Sequence, residues 1–362
     1  MARSYRHPVR QFLLFTHRWM GIPAALFLAA MGVSGAILVY ERPVDRLIYP
    51  RFHVVQPGPS LLPLDSLVAI ADRAAPRPVK ASWIILPHRP DEAARVQYRF
   101  HQVYMDPYRG TILGERGIGE SVVAQLRAFH QSFFLGRVGR FVALVCTGAG
   151  LLLALGGVIL WWPRKIVRFH ARSSWRRINF DLHNISGLVG LVGILLFGGT
   201  ALMMAYGDVL DPWYRSTWGD APNPRLLPGS PRSAQPVDIA TIARAADAAV
   251  PGPMREIVIP KDPHGTYRVQ KQAPGEYGQR ARNIVFVDGN DARVRGVIDQ
   301  NRRPMGTRIA MLTEDWHIAA FAPEWSRLLG IVSCLMLAFT SATGPLIWYK
   351  PRRKPKRQPS AP

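Results

Sequence analysis

Four of the ten histidines stand where their chemistry is informative. His17 and His183 are separated by 166 residues, and His130 and His317 by 187; the first two stand at the start of long uncharged runs and the other two precede such runs. Ionisable groups at membrane depth are costly and face the interior of a helix group. A two-fold arrangement of the chain's halves brings His17 opposite His183 and His130 opposite His317. Two neutral imidazoles facing each other across such an axis can take the two axial positions of a haem iron. Zinc normally takes four protein donors, and no carboxylate or thiol accompanies these pairs. The competing reading is an interfacial histidine that snorkels or caps a helix. His53, His88, His101 and His264 have no partner in the other half and read as solvated surface histidines, while His7 and His170 read as lipid-proximal.

The elements that must position these rings are apolar. The uncharged runs 19–40, 141–163, 182–207 and 328–349 are 22 to 26 residues long. A bilayer core needs about 20 apolar helical residues to cross it. The chain carries 46 Lys and Arg against 24 Asp and Glu, a net charge of +22. Its cations cluster beside the runs: Arg3, Arg6, Arg10 and Arg18, then Arg164, Lys165, Arg168, Arg172, Arg176 and Arg177, then the tail from Lys350 to Arg357. Short basic segments stay in the cytoplasm, and an even number of spans puts all three on one side. This placement assigns the charge to topology and anionic lipid rather than nucleic acid. Residues 1–18 are then cytoplasmic, followed by a first span (19–40), an outer domain (41–128), and a helix extension with the second span (129–163). The second half repeats the order as a basic loop (164–181), a third span (182–207), an outer domain (208–312), a helix extension with the fourth span (313–349), and a tail (350–362). Cys146 and Cys334 are too few for a disulfide framework or a thiolate metal site, and no Cys-x-x-Cys-His is present to attach haem covalently. Neither a phosphate loop nor a dinucleotide fingerprint stands out.

The expected fold is a membrane all-α four-helix bundle carrying two α+β outer domains, built by internal duplication as parallel repeats. Gly32 and Tyr40 match Gly198 and Tyr206; Pro63-Leu-Asp65 and Ile84–Pro87 match Pro236-Val-Asp238 and Ile257–Pro260; Arg140, Gly157 and Trp161 match Arg327, Gly344 and Trp348. Asp65 and Asp238 are expected to cap helices over 66–75 and 239–249. Strands are expected at 84–86, 94–105, 257–259, 266–270 and 283–287, with turns at Asp106–Gly110 and Asp288-Gly-Asn290. Gly32, Gly35, Gly190, Gly193, Gly198 and Gly199 suit either a flat macrocycle or close helix packing. Arg18, Arg137, Arg140 and Arg327 suit either propionates or topology. Trp213, Tyr214 and Trp218 read as an interfacial belt or the border of a substrate site.

The chain resembles the PepSY-associated transmembrane family. The resemblance rests on His17-x-x-x-Gly21, the Asp106-Pro…Gly110…Leu113-Gly114 hairpin, His130, and Trp161-Trp-Pro163-Arg. It recurs as His183…Gly187, Asp288…Gly296, His317, and Trp348-Tyr-Lys-Pro351-Arg, so it covers residues 10–353. It implies a bacterial inner-membrane protein with two periplasmic PepSY-like domains, linked to iron acquisition. Some members look like dihaem ferrisiderophore reductases. Carried over, this implies two haems b held by His17, His183, His130 and His317. The partners would be a ferric siderophore or other periplasmic ferric chelate and an electron donor, a quinol or a reductase. The alternative is a haem-free anchored PepSY module that binds or regulates an envelope protease or assists siderophore transport.

Overall fold

The computed structural model describes residues 8–75, 80–162, 169–220, 230–272, 283–299 and 302–348. Arg3, Arg6, Arg164, Lys165, Arg168 and the tail from Lys350 to Arg357 lie outside the described residues. Four helices are long and apolar enough to cross a membrane: α1 (Pro8–Leu38), α6 (Gly136–Trp161), α7 (Trp175–Ala205) and α11 (Glu324–Trp348). Both α1 and α7 pack against α6 and α11. Glycines allow the close approaches. A β-carbon at Gly32 would fall 2.5 Å from the carbonyl oxygen of Cys334, and one at Gly193 1.8 Å from Ser333 Oγ. Gly190 and Gly198 likewise meet Met336 and Leu151. At these four positions the glycines serve helix packing.

The segments between the long helices carry α2 (Glu41–Ile48), α3 (Pro50–His53) and α4 (Leu64–Ala74), then β1 (Trp83–Ile85), β2 (Ala94–Gln97), β3 (His101–Met105) and β4 (Ile112–Gly117), and α5 (Val122–Ser132). The second half supplies α8 (Gly207–Trp218), α9 (Ile239–Ala249), β5 (Met254–Val258), β6 (Thr266–Lys271), β7 (Asn283–Asp288), β8 (Val294–Ile298) and α10 (Met305–His317). The eight strands form one antiparallel sheet in the order β4-β3-β2-β1-β5-β6-β7-β8. The halves join where Ile84 of β1 faces Ile257 of β5, two residues at matching places in the sequence. One face of the sheet buries Ile84, Val96, Val103, Ile257, Val269 and Val285 under α4 and α9. The run 94–105 is two strands, because Tyr98–Phe100 turn the chain between Gln97 and Gln102.

Several local expectations change in the folded chain. Asp65 does not cap its own helix. Its carboxylate accepts from the backbone N–H groups of Ile239 and Ala240, capping α9 of the other half, while Asp238 also caps α9 through Thr241. The expected helix extensions before the second and fourth spans are broken. Phe133 (φ 49°) and Ala319 (φ 56°) take left-handed conformations that end α5 and α10, so His130 and His317 ride on short helices set off from α6 and α11.

His53 and His88 are not solvated. His53 Nε2 lies 2.8 Å from Asp45 Oδ2. The same carboxylate takes two bonds from Arg116 of β4, which also donates to the Tyr104 hydroxyl. Burial opposes the Asp45 charge, but the bonds from His53 and Arg116 prevail and hold its pKa at about 2. This buried cluster ties α2, directly beyond α1, to the edge of the sheet. His88 accepts from Arg42 at 2.8 Å. Burial, then the charges of Arg42 and Arg255, push its pKa down to about 3. His101 pairs with Glu115, His264 with Asn290, and His170 with Asp181 of α7 rather than with lipid.

Candidate functional site

His17 lies near the start of α1 and His183 near the start of α7, at the end of the long helices where α1 and α7 begin. Their ring centroids are 6.4 Å apart and their planes perpendicular. His130 closes α5 and His317 closes α10, at the end nearer the sheet. Their centroids are also 6.4 Å apart, with planes at 49°. A metal–imidazole bond is about 2 Å, and a ring nitrogen lies about 1.1 Å from its ring centre. Rings on opposite sides of one metal therefore have centroids about 6 Å apart, so both pairs have the spacing of a two-imidazole site. No cluster of three or more His, Cys, Asp or Glu side chains occurs among the described residues. The donor set of each site is thus two nitrogens. It suits a metal whose other positions are filled by the cofactor itself, as in haem.

The outer nitrogens of these rings are held. His130 Nδ1 is 2.8 Å from Ser34 Oγ. His317 Nδ1 is 3.0 Å from the Phe197 carbonyl and 3.3 Å from Thr200 Oγ1. His183 Nδ1 is 3.1 Å from the Thr340 carbonyl and 3.2 Å from Thr343 Oγ1. Ser34 passes its own proton to the Ala30 carbonyl at 2.7 Å, so its oxygen is left to accept from His130. Bonding at Nδ1 fixes the tautomer and leaves the Nε2 lone pair for a ligand, as the outer partners of metal-bound histidines do. His17 differs: its Nδ1 is buried without a hydrogen bond. The position matching Thr343 in the first half is Gly156, which has no hydroxyl to offer.

A cavity of about 620 Å³ opens beside His17 and His183, lined also by Arg10, Arg18, Arg177 and Trp348. That volume is in the range of cofactor sites. Two matched glycines form its wall at the rings. A β-carbon at Gly157 would lie 3.5 Å from His17 Cε1, and one at Gly344 3.4 Å from His183 Cε1. Gly35 plays a similar part at the other pair, where a β-carbon would lie 3.2 Å from His130 Cε1. Of the arginines considered for propionates, Arg18 lines the cavity, with its guanidinium 4.0 Å over the Trp348 ring and its Nε buried without a bond. Arg327 is bound to Glu324 at 2.8 Å, and Arg137 and Arg140 are exposed. Trp213, Tyr214 and Trp218 cluster in α8, where the buried Tyr214 stacks on Trp218 and Trp213 meets both at an angle. Ser34, Thr200 and Thr343 escaped the sequence reading, and Arg10 and Arg177 were read there only as topology signals. The signal for the first two was present: Ser34 and Thr200 share the offset of His17 and His183.

An uncharacterised protein of Pseudomonas aeruginosa is 37% identical over 81 residues, which span 22% of this chain and 20% of that protein. The chain therefore covers about a fifth of the length of the curated relative that it matches. The PepSY-associated TM region family matches residues 14–350. With four membrane-crossing helices and that match over nearly its whole length, this membrane protein belongs to the PepSY-associated TM region family.

Proposed function

We infer that the chain is a haem-b protein of the bacterial inner membrane that carries electrons to a ferric chelate on the periplasmic side. The observation that carries this reading is the pair of imidazole pairs, each with centroids 6.4 Å apart, at opposite ends of the same helices. In this reading the four long helices form a bundle of two parallel repeats. Haem supplies one-electron chemistry when bound. His17 and His183 would hold one group, with Arg10 and Arg18 placed to meet its carboxylates, and His130 and His317 would hold the other. Ser34, Thr200 and Thr343 keep three of the rings in the ligating tautomer. From His17 to Ser34 the helix rises about 25 Å, so the pairs stand on opposite sides of the apolar layer. The basic segments support a cytoplasmic position for the His17 end, where a quinol or a partner reductase would donate. The sheet and the His130 end then face the periplasm.

Protein purified from haem-replete cells should show a b-type band on dithionite reduction, with two haems per chain by pyridine haemochrome. His17→Ala or His183→Ala should remove one haem and leave the other, and His130→Ala or His317→Ala the reverse. Absence of a b-type band overturns the reading; loss of both haems from each single variant overturns the pairing.

A further inference from the structure

The sheet has a second face, opposite α4 and α9. Side chains alternate across a strand, and Ala94, Val96, Tyr267 and Val269 lie under the helices. Arg95, Gln97, Arg268 and Gln270 therefore project from the other side. The strand register places them symmetrically. Arg95 faces Ile85, and Ile85 faces Glu256 across the β1–β5 seam; Arg268 faces Val258, and Val258 faces Trp83. Arg95 and Arg268, like Gln97 and Gln270, are separated by the 173 residues that also separate Ile84 from Ile257. The face thus repeats one arginine and one glutamine about its centre.

This face looks toward the helix end that carries His130. Tyr104, opposite Arg95 on β3, stacks on Phe52 of α3 at 5.3 Å. Arg116 joins Tyr104 to Asp45 of α2, and Glu41 of α2 pairs with Arg127 of α5, the helix of His130.

Several other cations of the sheet have acceptors, as Arg255 of β5 does in the Gln272 side chain and the Pro87 carbonyl. Arg116 has Asp45, Lys271 has Asp247, and Arg295 lies 3.9 Å from Asp288. The Arg95 Nε is buried without a hydrogen bond, and its guanidinium sits 5.7 Å over the Tyr104 ring. A buried donor without an acceptor calls for a partner outside the chain. Arg42 of α2 lies close enough for the Arg95 charge to oppose its own, second only to burial in holding its pKa below the ordinary arginine value. Glu256 shares the face, between Ile85 and Gln270.

We propose that this face, with Arg95 and Arg268 as its cationic contacts and Gln97 and Gln270 beside them, binds the anionic donor groups of a ferric chelate. The assignment rests on the reductase reading for the identity of the metal. It names the substrate class as a carboxylate- or catecholate-bearing chelate rather than a cationic one. Planar guanidinium forks fit such oxygens in bidentate fashion.

The test uses the full chain in nanodiscs of neutral lipid and gallium(III) citrate, a redox-inert anionic chelate, with binding measured by calorimetry. Saturable binding is expected, weakening as salt is raised. A charge-assisted bond is typically worth about tenfold or more in affinity, so Arg95→Gln should lose about tenfold and Arg95→Gln with Arg268→Gln more. Arg95→Lys, which keeps the charge and loses the fork, should lose less. The cationic gallium complex of a linear trihydroxamate should bind at least tenfold more weakly than citrate. Wild-type affinity in the double Gln variant overturns the proposal. So does salt-independent binding, equal binding of the cationic complex, or no saturable binding at millimolar citrate complex. Gallium binding needs no haem, so a missing b-type band would sink the reductase reading while leaving this result to stand or fall alone.

Discussion

Replacing Ser34 by Ala removes a hydroxyl whose one visible task beyond its own helix is to hold His130. The bond is 2.8 Å long. The helix does not depend on it, because the serine proton goes to the Ala30 carbonyl of the preceding turn. Loss of such an outer partner typically costs about 10- to 100-fold in metal affinity, or about 1.4–2.8 kcal/mol. The matching change at Thr200 should cost less. Its oxygen is 3.3 Å from His317 Nδ1, which keeps the Phe197 carbonyl at 3.0 Å. A neutral bond of ordinary strength contributes about 0.5–1.5 kcal/mol, and this longer one should lie at the low end, about two- to threefold. The assay is transfer of haem to excess apomyoglobin, followed optically in a His183→Ala background that leaves only the sheet-end site. Ser34→Ala should lose haem at least tenfold faster than its parent, Thr200→Ala two- to threefold faster, and Ser34→Thr at the parent rate. A Ser34→Ala protein that releases haem no faster than its parent would refute the assigned role of the hydroxyl.

At the other pair, Gly344→Ala should be tolerated, because its β-carbon sits 3.4 Å from His183 Cε1. Gly344→Leu should fill the cavity beside the ring and halve the haem content; full retention by pyridine haemochrome would contradict the cavity's role. Asp45→Ala leaves Arg116 buried without its carboxylate, which should cost about 3–5 kcal/mol. A melting temperature in detergent unchanged within error would argue against that cluster. His88 is neutral in the folded chain, with its pKa lowered to about 3 by burial and by Arg42 and Arg255, whereas the unfolded chain protonates near pH 6.5. Its contribution to stability is therefore complete above about pH 6.5 and is lost as pH falls toward 3. Thermal melts across that window should slope downward with acid, and His88→Gln should flatten the slope; equal slopes would reject the assignment.

Much of the architecture was legible because it is local. The apolar runs read directly as helices α1, α6, α7 and α11, since a bilayer sets both length and hydrophobicity. The hairpin turn at Asp106 is equally local: its carboxylate accepts from the N–H groups of Tyr108 and Arg109, and Gly110 takes φ +71°. The two outer segments were read as separate domains, and only the fold shows them sharing one sheet through β1 and β5. Asp65 had the residue type and position of a cap, but the helix it caps belongs to the other half. His53 and His88 read as surface residues because their partners, Asp45 on the preceding helix and Arg42, which is 46 positions from His88, meet them only in the folded chain.

By itself the sequence determined the four long apolar runs, the motifs that recur at stepped offsets and the residue types available for chemistry. These follow from hydropathy, repeat offset and the donor atoms each side chain owns. Only the tertiary structure decided that the rings stand 6.4 Å apart, which hydroxyl or carbonyl engages the Nδ1 of His130, His183 and His317, and that the Arg95 Nε is buried without an acceptor. Those facts depend on atoms brought within a few ångströms by packing between distant segments, and no spacing along one chain specifies such distances.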